Sequence, residues 1–498
     1  MFYTSTRDSS VKVSSAQAIT QGISADGGLF VPESIPQITM DDLLALSSAD
    51  YMTRAKKVLS MYLTDYTSEE LDSCITGAYG TGKFDTEKIA PLVEIEPNVH
   101  LLELWHGPTC AFKDMALQLL PYLLTVAAKK TADGKQVVIL VATSGDTGKA
   151  ALEGFKDVDH TKILVFYPND GVSPMQKLQM TTQEGGNVSV CAIEGNFDDA
   201  QNGVKKIFTD KSISEELAKH NMMFSSANSI NWGRLVPQIV YYISAYCDMI
   251  ADGSIACGQK VNVCVPTGNF GNILAAYYAK KMGLPIGKLI CASNSNNVLT
   301  EFLHTGVYNR NRQFYTTISP SMDILISSNL ERLLYDLCGS DCSRVRTWME
   351  TLNYKGEYVV EEDILSKLHE LFAAGCCDDA DTKATIHALN ENDYLCDTHT
   401  AVAVNVYSQY RAQTEDMTDA IIASTANPYK FSAAVLEAIK GEQPAGDDEF
   451  EMVDELEVLT NDPIPAPLAE LKYKQPRFDK VCAKDEMKQV VFEMLGIQ

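Results

Sequence analysis

Lys113 is the side chain whose surroundings most suggest covalent chemistry. It stands in the segment HGPTCAFKD (residues 106–114), directly before an apolar stretch over residues 115–124. The spacing of that stretch predicts a buried helix, with Lys113 near its start. Burial and the positive end of a helix both lower the pKa of an amine, and a neutral amine can form a Schiff base with a small aldehyde cofactor. A surface lysine that caps a helix beside Asp114 is the alternative.

A second motif, VNVCVPTGNFGN (residues 261–272), predicts a strand, a glycine-bearing loop and a helix. Gly268 and Gly271 allow the backbone to approach a ligand closely, and the first amides of the helix could bind a phosphate. The motif has neither the Walker lysine spacing nor the three-glycine spacing of dinucleotide sites. Many α/β proteins have such a crossover and bind nothing there, so the motif alone leaves both interpretations open.

A third motif, VVILVATSGDTGKAA (residues 137–151), predicts a buried strand followed by a turn rich in hydroxyl groups and then a helix. The turn residues Ser144, Gly145, Asp146 and Thr147 could offer hydroxyls and amides to a carboxylate. The alternative is an ordinary helix start capped by Ser144 or Thr147.

In this order, the three motifs resemble the fold-type II pyridoxal-phosphate enzymes, and within them the long bacterial and fungal branch of the threonine synthase family. Other stretches similar to that family are YTSTR (3–7), GGLFVP (27–32), SPSMDIL (319–325), SNLER (328–332) and IPAPL (464–468). The resemblance spans nearly the whole chain. It implies an α/β fold like that of the tryptophan synthase β chain, with two open, twisted, mostly parallel sheets flanked by helices, plus a helical N-terminal domain.

The resemblance also implies pyridoxal 5′-phosphate as the cofactor, with Lys113 as its covalent anchor and as the base and acid that moves protons. The residues implied to hold the cofactor phosphate or ring are Gly268, Asn269, Phe270, Gly271 and Asn272. Thr425, at the end of the strand predicted in IIASTANP (421–428), would hydrogen-bond the pyridine nitrogen. Without the family position, Thr425 reads as a β-branched residue that ends a strand.

The resemblance places the turn Ser144, Gly145, Asp146 and Thr147 around the substrate carboxylate. Because an ionised aspartate cannot donate to the phenolate oxygen of the cofactor, we expect Asp146 to act through its backbone or to orient the turn. For a phosphate on the substrate we favour Arg234, in the segment NSINWGR (228–234) together with Asn231, since a guanidinium binds phosphate in a bidentate manner. Lys177 is the second candidate, and both cations could instead be surface ion-pair residues.

The function implied by the resemblance is a carbon–oxygen lyase that converts O-phospho-L-homoserine and water to L-threonine and phosphate, the last step of threonine biosynthesis. One alternative is a serine or threonine dehydratase, which shares the cofactor but needs no second phosphate site. Another is a threonine-synthase-like protein without turnover. The presence of Lys113, the 268–272 loop and Thr425 weighs against that second alternative.

Composition restricts the partners. A formal net charge of −25 excludes nucleic acid and anionic membranes as expected partners, since either would need a broad basic face. No apolar run reaches the ~18 residues of a membrane span. The 13 cysteines form no Cys-x-x-Cys pair, so we expect a cytoplasmic protein without a metal site, and we expect His399 to be structural. A monomer or a homodimer is expected.

The order of predicted elements divides the chain of 498 residues into three parts. Residues 1–93 are predicted to form the N-terminal domain. Residues 94–440 alternate strands and helices and are predicted to form the catalytic core, with a smaller subdomain at about 135–230. Residues 441–498 begin with an acidic, Gly- and Pro-bearing stretch and are predicted to be an extension that packs on the core.

Overall fold

The computed structural model describes residues 1–143, 145–170 and 172–497, and only the backbone of Asp198. The N-terminal part is mainly helical, as predicted. Ser14, Thr39 and Thr67 each begin a helix with a capping box, in which the cap side chain and the third helical residue satisfy each other's amides. The elements are Tyr3–Ser5 (β1), Ser15–Gln21 (α1), Phe30–Pro32 (β2), Met40–Ser47 (α2), Tyr51–Tyr62 (α3) and Ser68–Tyr79 (α4).

The apolar stretch after Lys113 forms two helices instead of the single one expected from its spacing. The elements of this part are Leu92–Glu96 (β3), Val99–Glu103 (β4), Asp114–Leu117 (α5) and Leu120–Thr131 (α6). Pro121 lies in the first turn of α6, where a missing amide is tolerated, and α5 ends before it. The apolar side chains of both helices are buried as predicted, so Lys113 does stand at the edge of the core.

The central part of the chain alternates strands and helices. Its elements are Gln136–Ala142 (β5), Asp146–Phe155 (α7), Thr161–Pro168 (β6), Pro174–Thr181 (α8), Val188–Glu194 (β7), Phe197–Thr209 (α9), Lys211–Lys219 (α10), Met222–Ser225 (β8) and Trp232–Ala251 (α11). The runs that form β5 and β6 are almost entirely apolar because helices cover both faces of their sheet.

The remaining elements complete the core and the C-terminal part. They are Val261–Pro266 (β9), Gly271–Lys281 (α12), Ile286–Ser293 (β10), Val298–Thr305 (α13), Val307–Asn309 (β11), Leu330–Leu337 (α14), Cys342–Lys355 (α15), Glu357–Val359 (β12), Glu362–Leu371 (α16), Phe372–Cys376 (β13), Asp379–Asn390 (α17), Thr398–Thr414 (α18), Ala420–Ser424 (β14), Ser432–Lys440 (α19), Glu449–Thr460 (α20), Ala466–Ala469 (α21), Val481–Ala483 (β15) and Met487–Leu495 (α22). Short 3₁₀ turns lie at Pro320–Met322, Pro428–Phe431 and Glu470–Tyr473.

Two sheets organise the core, which confirms the predicted fold class. The larger has the order β13-β10-β9-β14-β4-β3, parallel except for β3, and the smaller has the order β15-β7-β6-β5-β8, parallel throughout. In the larger sheet, β4, β14 and β9 are neighbours, and all three run in the same direction. The segments that follow them are the Lys113 segment, Thr425 and the glycine loop. Parallel strands therefore bring three of the predicted site segments to one sheet edge.

The sheets cross two of the predicted domain limits. β3 spans residue 93 and pairs with β4, and β15, within residues 441–498, is the edge strand of the smaller sheet. The acidic stretch before α20 is followed by helices that pack with the core through an apolar cluster containing Met452, Leu456 and Leu468. Within the described ranges, no helix is both long and apolar enough to cross a membrane.

Helix α7 packs closely against α5, and Gly154 makes this possible. A β-carbon at Gly154 would collide with the carbonyl oxygen of Leu117, the last residue of α5. We predict that Gly154→Ala lowers the free energy of unfolding by about 1–3 kcal/mol, because backbone must move to admit the methyl group. Urea unfolding measures this change. Gly446→Ala, where no atom lies within 4 Å of the added carbon, is the control, and equal losses in both variants would contradict the packing argument.

Candidate active site

The Lys113 amine is nearly buried and lies between two elements. Its Nζ is 3.7 Å from Asp146 Oδ2 and 3.5 Å from Ser321 Oγ, and the side chain is 11% exposed. Burial lowers the pKa of Lys113; Asp146 opposes this effect, while Lys430 and Arg234 add to it. Because α5 has only four residues, burial rather than a helix end is the main cause of the lowered pKa.

Asp146, the first residue of α7, uses both carboxylate oxygens. Lys430 Nζ lies 2.8 Å from Oδ1, Gln176 Nε2 donates to Oδ1 at 3.2 Å, and Lys113 is on the side of Oδ2. Burial would raise the pKa of Asp146, but Lys430 and Lys113 together hold it well below its usual range. The carboxylate is thus ionised and fixed in place. The sequence analysis expected Asp146 to act through its backbone or to orient the turn, and did not predict these side-chain contacts.

The turn before α7 leaves two amides available to a ligand. Thr143 Oγ1 accepts hydrogen bonds from the amides of Gly145 and Gly148, whereas the amides of Asp146 and Thr147 donate to no acceptor in the part of the chain that the structure describes. Gly145 has a φ of +150° and holds the cap position itself, without a side-chain cap. Ser144, the remaining predicted residue of this turn, lies outside the described residues.

The glycine loop presents its backbone to the same region. A β-carbon at Gly268 would be 2.7 Å from the carbonyl oxygen of Ser321, so only glycine fits between the loop and that turn. Phe270 has a φ of +64°, a conformation that non-glycine residues rarely adopt and that clusters at ligand sites. Among the described residues, the amides of Gly268, Asn269 and Phe270 have no protein acceptor. These free amides at the start of α12 could donate to an anion.

Asn272, in the first turn of α12, has an amide group with an unsatisfied donor. Its Oδ1 accepts hydrogen bonds from the hydroxyls of Tyr241 and Tyr242, both on α11. Its Nδ2 is buried and has no partner among the described residues. Since a buried donor without a partner is costly, the arrangement indicates an acceptor supplied by a ligand.

Thr425 lies beside the Lys113 segment. Its carbonyl accepts from the amide of Phe112 at 2.8 Å, which fixes the end of β14 next to Lys113. Its hydroxyl bonds no other described residue, whereas the hydroxyl of the preceding Ser424 is bonded by Trp105 Nε1 and Thr400. Of these two neighbouring hydroxyls, only that of Thr425 is available to a ligand.

Arg234 and Asn231, both predicted to contact substrate, have different environments. Asn231 caps α11: its Nδ2 donates to two carbonyl oxygens and its Oδ1 accepts from the amide of Gly233. The Arg234 guanidinium is buried, donates to the carbonyl oxygen of Ala227, and pairs with no carboxylate of the described residues; its Nε is unpartnered. Burial lowers the pKa of Arg234 to about 10, so it remains a cation at neutral pH.

Lys177, the second candidate cation, lies on α8 next to Gln176. Its Nζ donates to Asn169 Oδ1 at 3.2 Å, and the side chain is half-buried. No contact joins it to Lys113 or to the glycine loop in the described ranges. Of the two candidates, Arg234 is the one whose charge is seen to act on the Lys113 amine, by lowering its pKa.

Three residues of the site were not predicted from the sequence. Ser321 lies between Lys113 and Gly268, Gln176 supports Asp146, and Lys430 binds the carboxylate of Asp146. Lys430 could have been noticed as the single cation of the segment ANPYKF, only five residues after Thr425. The other two contacts arise from tertiary packing and leave no local pattern.

The arrangement fits pyridoxal phosphate. A buried amine could hold the aldehyde, the start of α12 offers free amides and Asn272 Nδ2 to a phosphate, and the unbonded hydroxyl of Thr425 suits a ring nitrogen. Ser321 contacts both the amine and the loop, and Thr425 is bonded to Phe112, so these segments are adjacent.

Comparison with known proteins gives consistent family matches along the chain. Residues 2–79 match the family model "Threonine synthase N terminus", residues 80–423 match "Pyridoxal-phosphate dependent enzyme", and residues 400–491 match "Threonine synthase, C-terminal".

Individual relatives agree with these matches. Human "Threonine synthase-like 1" is 41% identical over 436 residues, which cover 85% of this chain and 58% of that protein; the chain thus spans about three fifths of its length. Threonine synthase of Saccharomyces cerevisiae is 38% identical over 468 residues, which cover 88% of this chain and 89% of the yeast protein. The crystal structure of a PLP-bound threonine synthase from Brucella melitensis superposes with a TM-score of 0.88 at 37% identity and covers 99% of both chains. From its sequence matches, its fold and its site geometry, the chain belongs to the threonine synthase family of pyridoxal-phosphate-dependent enzymes.

Proposed function

We propose that the protein is a threonine synthase, which converts O-phospho-L-homoserine and water to L-threonine and phosphate. The observation that carries the proposal is the buried Arg234 guanidinium, whose charge lowers the pKa of the Lys113 amine and which has no carboxylate partner among the described residues. In a chain with a net charge of −25, an unpaired buried cation calls for an anionic ligand. We propose further that the protein acts in the cytoplasm as a monomer or homodimer.

A second phosphate distinguishes this reaction from that of a dehydratase. The free amides at the start of α12 can hold the cofactor phosphate, which leaves Arg234 for the phosphate of the substrate. The competing assignment gives Arg234 to the cofactor, because Gln238, one turn further along α11, lies 3.8 Å from the β-carbon position of Gly271. The Arg234 variants described below separate the two assignments.

Lys113 and Thr425 are proposed to have separate roles in the reaction. Pyridoxal phosphate, when bound, supplies an electron sink for the charge that develops on the carbon skeleton of the substrate. Lys113 would hold the cofactor, and once the substrate amine has freed it, its amine would remove and return protons at Cα of the substrate and at C4′. A neutral Thr425 hydroxyl can donate to the ring nitrogen, but it cannot keep that nitrogen charged as a carboxylate would.

The substrate carboxylate is proposed to bind at the start of α7. The amides of Asp146 and Thr147 are available there, and the turn that contains Gly145 and Ser144 completes the surroundings. The carboxylate of Asp146 would repel a second anion, but Lys430, whose Nζ lies 2.8 Å from Oδ1, compensates its charge. Arg234 would then bind the γ-phosphate and retain it as the bond between Cγ and oxygen breaks.

Product analysis in oxygen-18 water tests the proposed function. The purified, cofactor-loaded protein is incubated with O-phospho-L-homoserine, and phosphate and amino-acid products are identified by mass spectrometry. We expect threonine with the heavy oxygen on Cβ and phosphate with only substrate oxygen, because the Cγ–O bond breaks and water adds at Cβ. Ketobutyrate as the main product, or pyruvate and ketobutyrate formed from serine and threonine instead, would support dehydratase chemistry. Absence of all turnover would support a protein without catalysis.

Lys113 is predicted to be the covalent anchor. Borohydride reduction of the cofactor-loaded protein, followed by peptide mapping, should find the label on Lys113, and Lys113→Ala should abolish turnover while circular dichroism shows a native fold. Lys149, a half-buried lysine of the region, is the internal control and should carry no label. A label on a different lysine would refute the assignment.

Thr425 is predicted to bind the pyridine nitrogen through its hydroxyl. Thr425→Val keeps the volume but removes the donor, so cofactor binding should weaken by about 1–2 kcal/mol, and Thr425→Ser should have a much smaller effect. Equilibrium titration of the apo-protein with pyridoxal phosphate measures both. If the Val variant binds the cofactor as tightly as the wild type, the hydroxyl has no such role.

Arg234 is predicted to select for the phosphorylated substrate. Arg234→Lys keeps the charge but loses the bidentate geometry, so kcat/KM for phosphohomoserine should fall, and Arg234→Ala should lower it further. Slow side reactions of amino acids without phosphate should be spared. An equal loss for both substrate types, with weaker cofactor binding, would assign Arg234 to the cofactor phosphate; Lys177 would then be the next candidate for the substrate.

A further inference from the structure

Lys430 is a fully buried cation that was not predicted from the sequence, and the proposed mechanism gives it no part beyond compensating the charge of Asp146. Its Nζ lies 2.8 Å from Asp146 Oδ1 and donates to the carbonyl oxygen of Thr109 at 2.8 Å, and its side chain is 0% exposed. It belongs to the 3₁₀ turn that follows Thr425. Lys430 and Lys113 lie nearest to different carboxylate oxygens of Asp146, since the amine of Lys113 is 3.7 Å from Oδ2.

The carboxylate of Asp146 thus has an amine at each oxygen, Lys430 at Oδ1 and Lys113 at Oδ2. When Lys430 and Asp146 are both ionised, they compensate each other, so a proton on Lys113 would leave an uncompensated positive charge in a buried site. Without Lys430, the carboxylate would have only Lys113 as a counter-ion, and a protonated Lys113 would be favoured.

We propose that Lys430 is a positioning residue that takes Asp146 as its counter-ion and so leaves the Lys113 amine neutral and ready to bind the cofactor. This inference rests on the proposed role of Lys113 as the cofactor lysine. It assigns Lys430 a role in the state of the free protein, before cofactor or substrate is bound.

The other groups that face Lys113 do not replace this role. Arg234, from α11, is a cation that adds to the lowering of the Lys113 pKa, and Ser321 offers a neutral hydroxyl. Asp114, on the same helix as Lys113, has both oxygens bonded by Thr109, and burial raises the pKa of Asp114 to about 6. Asp146 is thus the one carboxylate within ion-pair distance of Lys113 in the described ranges.

Competitive acetylation of the apo-protein tests the proposal without any need for turnover. Trace acetic anhydride reacts with neutral amines only, and the extent of labelling at Lys113, measured by mass spectrometry across the pH range in which lysines titrate, gives the midpoint for its deprotonation. Lys430→Met removes the charge. Lys430→Gln also removes the charge but can still donate a hydrogen bond, and it serves if the Met variant is unstable.

We expect the Lys113 midpoint to move to higher pH by about one unit or more in Lys430→Met and Lys430→Gln. Lys149, a half-buried lysine on the same helix as Asp146, pairs with Glu153 instead, so Lys149→Met should leave the midpoint unchanged. Asp146→Asn should move the midpoint to lower pH. An unchanged midpoint in a natively folded Lys430→Met or Lys430→Gln protein would overturn the proposal.

The outcome is independent of the product analysis described above. A shifted midpoint with no threonine formed would support the role of Lys430 and refute the proposed function. An unchanged midpoint with threonine formed would refute the role of Lys430 and support the proposed function.

Discussion

Burial of positive charge between the two sheets is the constraint on which the site depends. A chain with a net charge of −25 must attract anionic ligands to a few positions and must keep its many carboxylates away from them. It does so with two buried cations, Arg234 and Lys430, beside the Lys113 amine, and among the described residues Asp146 is the one carboxylate within ion-pair distance of both lysines. Because the low-dielectric surroundings strengthen each charge, this small set can dominate the local potential.

The fold meets this constraint by joining the ends of distant segments. The amide of Phe112 bonds the carbonyl of Thr425, and Ser321 contacts both Lys113 and the glycine loop. His399 holds Ser321 in place: its Nε2 accepts a hydrogen bond from the amide of Ser321, and its Nδ1 is bonded to Asp397. The buried residues Thr425, His399 and Asp397 hold the more exposed Phe112 and Ser321, which explains how groups so far apart in the chain keep one geometry.

The sequence alone predicted the parts of the site that follow strands, and it missed the parts that depend on packing. Lys113, the 268–272 loop and Thr425 each stand after a run that is recognisable as a strand or before one recognisable as a helix. Lys430 and Gln176 have no such marker, because their roles exist only once the small sheet lies against the larger one. Strand β15 was not predicted for the same reason. Its three residues are too few to show an alternating pattern, and it pairs with β7, which is distant in the sequence.

That last strand affects how the protein must be made. Val481 pairs with Ala192, and α22 packs its apolar face, including Met487 and Val491, on the outer side of the small sheet. At ~5–20 residues per second, a ribosome needs about 15 to 60 s to reach the partner of β7. For that time the nascent chain holds an unpaired apolar edge. The sheet that carries the turn before α7 is therefore completed only after residues 481–483 have been made, and until then the edge of β7 is open to pairing with other chains.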